Sequence, residues 1–434
     1  MTAATFCAID FGTSNSAVAV PDGDAMRLIE LEPGFRTMPT AVFYPGEARG
    51  RAPPPCEFGR AAIAAYVDGI DGRLMRSMKS ILGSSLVQQT TDVGGGRGVR
   101  FIDIVATYLR HLRGCAELAA GAPIDRAVVG RPVYFVDDDA ERDASAEAAL
   151  REAAAIAGFA EIVFQYEPIA AAFDHEQAVT REENVLVADI GGGTSDFSLV
   201  RVGPQRTGRL DRKGDILANH GVHIAGTDFD RRIELASVLP LLGYGAEGPS
   251  VDGAAPREVP SAVYFDLATW HLINTVYNPQ RVAELRAMRS FYADPAQHRR
   301  LMTVVTEHYG HDLVARAEAA KIAVSAGGRS TIALDHIEAD LASELEAVDA
   351  KRALDADLDR IVAAARTTVA QAGAGAAVVD TLYLTGGSTG LDILSERLHP
   401  AFPAARVVRG DRFASVATGL ALFAARRFAT SARR

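Results

Sequence analysis

Residues 185–202 have the sequence VLVADIGGGTSDFSLVRV, in which two apolar runs flank three consecutive glycines. Apolar runs of this length, rich in valine and leucine, predict two β-strands, and the glycines predict a tight hairpin turn between them. Glycine has no Cβ atom, so the turn can adopt positive φ angles and let its backbone N–H groups approach an anion closely. Asp189, Thr194, Ser195 and Asp196 frame the turn with carboxylates and hydroxyls. Taken alone, this pattern is compatible with a plain tight turn and with a phosphate cradle.

The same pattern occurs near the N-terminus, where an apolar run leads into IDFGTSNS at residues 9–16 and is followed by the apolar run AVAV. This repeat predicts two similar lobes, each of which presents a hairpin turn to one shared ligand. The triplet Asp10-Phe11-Gly12 also occurs in protein kinases, but no G-x-G-x-x-G loop precedes it and no H-R-D motif is present, which excludes that class. The glycine-rich residues 94–98 lack the Gly-Lys-Ser/Thr ending of a P-loop.

The composition is that of an ordinary globular protein with a large core: 434 residues, 48% hydrophobic and 23% charged. The formal net charge of -10 argues against non-specific binding to nucleic acid. Cys7, Cys56 and Cys115 are widely separated, which argues against disulfide bonds and thiolate metal sites and fits a reducing compartment. The sequence has no signal peptide and no apolar run of about 20 residues, so we expect a cytoplasmic protein without membrane contact.

Both hairpins resemble the phosphate motifs of the actin-like ATPase superfamily, and in particular those of the nucleotide-binding domain of the seventy-kilodalton heat-shock (DnaK-like) chaperones. IDFGTSNSAVAV, residues 9–20, is similar to the first phosphate motif, and ADIGGGTSDFSLV, residues 188–200, to the second. Other segments follow in the family's order and include RSMKSILG at 76–83, YEPIAAA at 166–172 and LYLTGGSTG at 382–390. Each motif is weak evidence by itself, but the occurrence of all of them in the family's order is strong evidence.

This resemblance covers nearly the whole chain and implies an α/β actin-like ATPase fold. In that fold two similar lobes, which are duplicated ribonuclease H-like domains, have a nucleotide cleft between them. We expect lobe I at residues 1–183 and lobe II at residues 184–410, followed by a C-terminal helix within 411–434 that returns to lobe I. No apolar linker and no β-rich peptide-binding domain follow, so the sequence predicts the nucleotide-binding half of a DnaK-like protein without a substrate-binding domain.

Residues 240–311 depart most from this family and predict an insertion in lobe II, which begins with an extended loop at 243–260 and contains the single Trp270. We expect bound nucleotide to change the surroundings of this insertion. The strings VVGRPVYF, FQYEPIAAAF and LYLTGGS make the chain most similar to the YegD-like branch of bacterial homologues, which are regarded as chaperones.

The resemblance also implies roles for individual residues. Asp10 and Asp189 would hold Mg2+ through its waters, since Mg2+ is a hard cation that prefers oxygen ligands. Lys79 would stabilise charge on the γ-phosphate, and Glu167 and Asp196 would orient water or metal. Thr194 completes the catalytic set. The residues expected to cradle the phosphates are Gly12, Thr13, Ser14, Asn15, Gly191, Gly192, Gly193, Thr194, Gly226 and Thr227. The residues expected to contact adenosine are Glu318, Lys321, Ser325, Gly386, Gly387 and Ser388.

Gly390 stands where the family generally has an arginine that stacks on adenine. Losing that flat cation should relax the selection of the base without abolishing phosphate chemistry. Apart from the resemblance, Lys79 could be a solvated surface lysine, and Glu167 could simply favour the positive end of a helix dipole. His308 and His311 could share one helical face, but a lone His-x-x-His pair is a weak metal motif, so we expect ordinary surface histidines.

Phosphoryl transfer requires neutralised charge and a positioned nucleophile more than covalent chemistry, and the sequence supplies each part. It therefore predicts a chaperone-like, Mg-dependent ATPase with slow hydrolysis, with ATP or ADP and Mg2+ as cofactors. The expected partner is a protein client or co-chaperone whose identity the sequence does not give, with no nucleic acid and no membrane. Two alternatives stay open: a small-molecule kinase of the same superfamily, and a non-catalytic ATP-gated binding or filament-forming protein.

Overall fold

The computed structural model describes residues 6–23, 25–46, 55–94, 96–136, 139–249, 257–373, 378–411 and 414–429. The strands, β1 to β18 in chain order, are Phe6–Phe11, Asn15–Asp22, Ala25–Leu28, Thr37–Pro39, Ala41–Pro45, Glu57–Phe58, Gly72–Arg76, Thr90–Asp92, Gly98–Arg100, Arg126–Arg131, Glu161–Tyr166, Glu183–Ile190, Ser195–Val202, Ile216–Val222, Arg329–Ala333, Ala342–Glu346, Thr381–Thr385 and Arg406–Arg409. The helices, α1 to α13, are Gly59–Val67, Phe101–Ala120, Ala140–Ile156, Glu167–Ala178, Gly226–Ile233, Ala262–Leu267, Ile273–Val276, Pro279–Ala287, Pro295–Thr306, Gly310–Val324, Ala347–Gln371, Asp392–Leu398 and Ser415–Ala429.

Two large sheets share one strand arrangement. The first has the order β11-β10-β1-β2-β3, with β4 also paired to β2, and the second has the order β14-β13-β12-β17-β18. In each sheet a central strand, β1 or β12, forms an antiparallel hairpin with the next strand and a parallel ladder on its other side. Parallel neighbours require a crossover connection, which α3 supplies between β10 and β11. The two predicted hairpins are therefore confirmed, and they occupy equivalent positions in their sheets.

Each large sheet has its own hydrophobic core, and a third core lies between α4, α13 and both sheets. The third core includes Phe6 of β1, Phe173 of α4 and Phe428 of α13. Burying a side chain of this size stabilises the fold by roughly 1.5–3 kcal/mol. Helix α13 approaches α4 closely at Gly419, where a Cβ atom would lie 1.8 Å from the carbonyl oxygen of Ala170. Helix α13 also packs against β1 and β10 of the first sheet.

A buried cluster of charges joins α4 to the loop between β13 and β14. Arg212, whose side chain is fully buried, lies 2.8 Å from Glu176 of α4 and also pairs with Asp215. Arg206 pairs with the same Asp215 and, at 2.8 Å, with Glu182. Removing one partner of such a cluster strands a charge in the interior, which typically costs about 3–5 kcal/mol. The cluster therefore holds α4, which follows the first sheet in the chain, to the second sheet.

A smaller unit follows the first hairpin. Strands β5, β6 and β7 form a sheet of their own, and α1 packs on it around a small core that includes Phe43 and Ala62. Helices α6 to α9 lie within the predicted insertion. Tyr264 of α6, Val276 of α7 and Leu301 of α9 belong to the core of the second sheet. The predicted extended loop ends where α6 begins, and its residues 250–256 lie outside the described residues.

The two histidines do not share a helical face. His308 precedes α10, has a φ of 59° and stacks on Tyr277 with ring centroids 4.1 Å apart. His311 is only 6% exposed, so its prediction as a surface histidine is wrong. Its aromatic neighbours, which come from distant parts of the chain, bury it. Among the described residues, none of the helices is both long and apolar enough to span a lipid bilayer.

Candidate functional site

The turns of the two equivalent hairpins face one cavity of about 770 Å³. Residues from both large sheets, from the turn after β7 and from α10 line it. All of the residues to which the resemblance assigned a role lie on its wall: Asp10, Gly12, Thr13, Ser14, Asn15, Lys79, Glu167, Asp189, Gly191, Gly192, Gly193, Thr194, Asp196, Gly226, Thr227, Glu318, Lys321, Ser325, Gly386, Gly387 and Ser388. The fold thus brings together side chains that are spread over most of the sequence.

The two turns approach each other closely. A Cβ atom on Gly192 would lie 2.9 Å from the hydroxyl oxygen of Ser14 in the first turn, whereas a Cβ atom on Gly193 would meet nothing within 4 Å. None of the three glycines of the second turn, all of which are described, has a positive φ, so the left-handed backbone that glycine permits is not used here. The glycines serve instead to bring the turns together and to leave open space beside the backbone, which is what a close-fitting anion requires.

Two other motifs form hydrogen bonds to the second turn and hold it in place. The backbone N–H groups of Gly226 and Thr227 donate to the carbonyl oxygens of Gly191 and Gly192, at 3.2 and 2.8 Å. The Ser388 hydroxyl donates to the carbonyl oxygen of Gly191 at 2.7 Å. Gly226 and Thr227 were expected to face the phosphates, and both line the cavity. Their N–H groups already have acceptors and support the second turn.

On the wall between the two turns, several carboxyl groups lie close to one ammonium group, that of Lys79. The Nζ of Lys79, a residue only 8% exposed, forms an ion pair with Oε1 of Glu167. Burial, followed by the nearby charge of Glu167, holds the pKa of Asp10 well above its ordinary value. Burial and the charges of Asp196 and Glu167 raise the pKa of Asp189 to about 7. The positive charge of Lys79 offsets only part of both shifts.

This balance of charge fits a divalent cation. Carboxylates that hold protons near neutral pH are ones from which a cation can displace protons, and a donor set made of oxygen suits Mg2+. Among the described residues, no three or more His, Cys, Asp or Glu side chains are grouped to hold a metal directly. Mg2+ usually keeps several waters and binds through one or two carboxylates. Asp10 and Asp189 are the residues that would hold it.

Helix α10 forms another wall of the cavity. Lys321 is 6% exposed, and its Nζ lies 2.6 Å from Oδ1 of Asp230, so its charge is already paired. Glu318 and Ser325 lie on the same side of this helix, as their spacing predicted. Between them Ile322, which the sequence analysis did not single out, lines the cavity with 56% of its surface exposed. An apolar side chain thus stands beside the polar residues assigned to adenosine.

Several wall residues were missed by the sequence analysis. Tyr134 and Phe135 line the cavity, and they lie in VVGRPVYF, a string used above only for the family resemblance. Arg142 also lines it and donates to the carbonyl oxygen of Gly83 at 2.9 Å. Asn219 accepts a hydrogen bond of 2.6 Å from Ser198 at the wall formed by β13 and β14. These residues carry no local pattern, and only the three-dimensional fold places them at the site.

A profile of the Hsp70 protein family matches residues 6–236, which are just over half of the 434 residues. The chain belongs to the Hsp70 family. The matched part of this Hsp70-family protein contains both hairpin turns, Lys79 and Glu167, whereas the cavity residues on α10 and after β17 lie beyond it. Proteins of this family are chaperone-type ATPases, and the mixed α/β structure with several sheets fits their fold.

One curated relative of this Hsp70-family protein is the chaperone protein dnaK of Cyanophora paradoxa, which is 30% identical over 243 residues. The alignment covers 52% of this chain and 36% of that chaperone. The chain therefore spans about a third of the length of the relative it matches.

We predict that Asp189→Asn stabilises the metal-free protein at pH 8. In the folded protein this carboxyl has a pKa of about 7, above its ordinary value near 4, so the folded state binds the proton more tightly. Stability from this group is therefore present at low pH and is lost as the pH rises through 7. Asparagine does not ionise. At pH 8 in EDTA the free energy of unfolding of Asp189→Asn should therefore exceed that of the wild-type protein by at least about 1 kcal/mol.

Calorimetry in EDTA at pH 5 and pH 8 measures this effect. The Tm difference between variant and wild type should be smaller at pH 5 than at pH 8, where it should grow by several degrees. Asp68→Asn, at an exposed carboxylate, is the matched control and should show no such growth. A Tm difference for Asp189→Asn that is equal at both pH values would contradict the assignment.

Proposed function

We propose that this Hsp70-family protein binds Mg-ATP or Mg-ADP in the cavity between its two large sheets and hydrolyses ATP slowly. The observation that carries the proposal is the convergence on one cavity of both glycine turns, Lys79 and the surrounding carboxylates. In this proposal each large sheet with its core is one lobe of an actin-like ATPase fold, and the cavity is the nucleotide cleft. Cytoplasmic location remains a prediction from the sequence.

The proposed hydrolysis would depend on neutralising the phosphate charge and on positioning the attacking water. Backbone N–H groups of the two turns would hold phosphate oxygens, and Mg2+ bound by Asp10 and Asp189 would neutralise phosphate charge. Lys79 would stabilise the charge that grows as the γ-phosphate leaves. Glu167, which pairs with Lys79, and Asp196, which accepts a hydrogen bond of 2.8 Å from Thr194, would orient the attacking water.

We further propose that hydrolysis serves a chaperone-type role towards a protein client, as the name of the dnaK relative suggests, and that the YegD-like branch is the nearest part of the family. The family match favours this role over that of a small-molecule kinase. Release of phosphate without any added acceptor distinguishes hydrolysis from transfer to a small molecule. Sedimentation in the presence of ATP tests the filament-forming alternative.

Isothermal titration calorimetry tests the proposal directly. With Mg2+ present, ATP should give a saturable heat, and EDTA should weaken the binding because phosphate charge then faces the carboxylates without a cation. Asp189→Asn should bind ATP with little dependence on Mg2+. If ATP gives no heat either with Mg2+ or with EDTA, the protein does not bind the nucleotide and the proposal fails.

Lys79 and Glu318 should affect different kinetic constants. Lys79→Ala should lower kcat by about 10²-fold while ATP still binds, because the ammonium acts on charge that develops in the transition state. Glu318→Ala should raise KM and leave kcat nearly unchanged, because a contact to the ribose is equal in the ground state and the transition state. Lys351, an exposed lysine that pairs with Glu396 at 2.7 Å, provides the matched control Lys351→Ala. A Lys79→Ala variant with a changed KM and a normal kcat would show that its assigned role is wrong.

The end of the cavity that would hold the adenine should discriminate only weakly between nucleotide bases. Gly390 and Ile322 both line the cavity, and neither offers a flat cation for a purine to stack on. We expect Gly390→Arg to tighten ATP binding by about 5- to 10-fold, since a guanidinium over an aromatic ring contributes about 1 kcal/mol or more. Gly390→Leu adds bulk without charge and should not tighten binding. Equal dissociation constants for the two variants would argue against stacking at this position.

A further inference from the structure

Two buried hydroxyl groups lie behind the first hairpin turn. Thr40, between β4 and β5, is buried, and its Oγ1 donates to the carbonyl oxygen of Gly12 in that turn at 2.8 Å. Ser16 of β2 is also buried, and its Oγ lies 2.9 Å from Oγ1 of Thr40. A hydroxyl group has one proton to donate. Because Thr40 gives its proton to Gly12, Ser16 donates to Thr40, and the two hydroxyls form a chain of hydrogen bonds that ends on the turn.

The backbone of Thr40 holds the same turn. Its N–H donates to the carbonyl oxygen of Ser14 at 2.9 Å, so Thr40 binds two carbonyl groups of the turn. The buried phenol of Tyr108, on α2, donates to the carbonyl oxygen of Pro39 at 3.2 Å and fixes the residue before Thr40. Gly12 lines the cavity, whereas Thr40 does not. Thr40 therefore binds the turn on the side that faces away from the cavity.

An equivalent contact exists on the second turn. Gly12 follows Asp10 of β1 by two residues, and Gly191 follows Asp189 of β12 by two residues. The carbonyl oxygen of Gly191 accepts the hydrogen bond of 2.7 Å from the Ser388 hydroxyl. The same carbonyl of each hairpin thus accepts from a hydroxyl, although the two hydroxyls come from different sheets and distant parts of the sequence. A contact that recurs at equivalent positions of two hairpins indicates one physical purpose.

The direction of these carbonyl groups determines the direction of the neighbouring N–H groups. In a planar trans peptide, the C=O of one residue and the N–H of the next residue point in opposite directions. The C=O of Gly12 is held towards Thr40, so the N–H of Thr13 points away from Thr40, to the side where the cavity lies. In the same way, the hydroxyl bound to Gly191 turns the N–H of Gly192 away from itself. Backbone N–H groups that are fixed in this way are suitable donors for an anion.

Glycine makes such a fixed direction necessary. A Cβ atom on Gly12 would lie 2.3 Å from the carbonyl oxygen of Asn15, so the close turn requires glycine at this position. A glycine backbone has few steric restraints, however, and can rotate more freely than that of other residues. Without the hydroxyl of Thr40, the carbonyl of Gly12 would lose a partner and could rotate towards another donor. The N–H of Thr13 would rotate with it and lose its direction.

We propose that Thr40 and Ser388 are positioning residues whose hydroxyls direct the N–H groups of the two turns at the phosphates of the bound nucleotide. We call these two residues the hydroxyl anchors. Thr40 acts through the peptide unit after Gly12, and Ser16 orients the hydroxyl of Thr40. Thr40 belongs to none of the motifs in the sequence, and Ser388 was expected to contact adenosine. This inference rests on the proposed nucleotide site.

The test is the dissociation constant of Mg-ATP, measured by isothermal titration calorimetry, together with kcat. Thr40→Val replaces the hydroxyl by a methyl group of similar size and should raise the dissociation constant by about 10-fold, which corresponds to about 1.4 kcal/mol. The value of kcat should change by less than about 2-fold, because the N–H groups hold the phosphates in the ground state and in the transition state alike. Thr40→Ser keeps the hydroxyl and should restore most of the affinity.

A control separates this role from a loss of stability. The hydroxyl of Thr368, which is fully buried in α11, donates to the carbonyl oxygen of Ala364 at 3.0 Å and does not line the cavity. Thr368→Val therefore removes a comparable buried hydrogen bond elsewhere. Both valine variants should lower the Tm, because each leaves a carbonyl without its partner. Only Thr40→Val should weaken the binding of ATP.

Pairs of variants distinguish the two turns. Ser388→Ala should also raise the dissociation constant, and its combination with Thr40→Val should give the product of the single effects, because the anchors act on different turns. Ser16→Ala combined with Thr40→Val should give less than the product, because both interrupt one chain of hydrogen bonds. If Thr40→Val does not fold, the single variants Ser16→Ala and Ser388→Ala provide the test, and unchanged dissociation constants for both refute the inference.

The outcomes separate this inference from the proposed function. If the wild-type protein binds ATP and Thr40→Val binds it equally well, the hydroxyl anchors are refuted while the proposed function stands. The same conclusion follows if Thr40→Ser binds ATP no better than Thr40→Val does. If the wild-type protein binds no ATP, the proposed function fails and this inference fails with it.

Discussion

The cavity contains more carboxyl groups than its own lysines can pair with. Lys79 pairs with Glu167 and Lys321 pairs with Asp230. That leaves Asp10 and Asp189 close to one another, and neither forms an ion pair with a described residue. Both stand in central strands, β1 and β12, whose hairpins are held by antiparallel ladders, so neither carboxylate can move away to relieve the repulsion. The closeness of the two carboxyl groups thus follows from the equivalent positions of the two hairpins in their sheets, and a cation that displaces their protons would relieve it.

The sequence predicted the hairpins and the stripe on α10 because these are local patterns, whereas the full set of residues that share the cavity was implied by the family resemblance. It did not predict tertiary partners. The pairing of Lys321 with Asp230 joins residues 91 positions apart, and no local pattern records it. The same limit applies to Gly226, whose N–H donates to the carbonyl oxygen of Gly191 and supports the second turn. The lobe boundaries and the roles of single residues stay predictions.

One residue type can serve different physical purposes, and at two places the sequence alone did not show which purpose applied. A run of glycines can permit positive φ or permit close approach, and here the distance from Gly192 to Ser14 shows the second use. A histidine near a polar pattern can be solvated or buried, and the rings of Tyr66 and Trp270 bury His311. In both cases a neighbour that is distant in sequence decided the outcome.

The third core has a consequence for how the chain is made. Phe6 of β1 lies against Phe428 of α13, with ring centroids 5.2 Å apart, and Gly419 seats that helix on Ala170. The central strand of the first sheet leaves the ribosome some 400 residues before the helix that covers it is synthesised. Chains grow at about 5–20 residues per second, so this apolar face stays uncovered for tens of seconds. A protein of a chaperone family would then itself need protection during synthesis, and damage to α13 would reduce its yield before it reduced its activity.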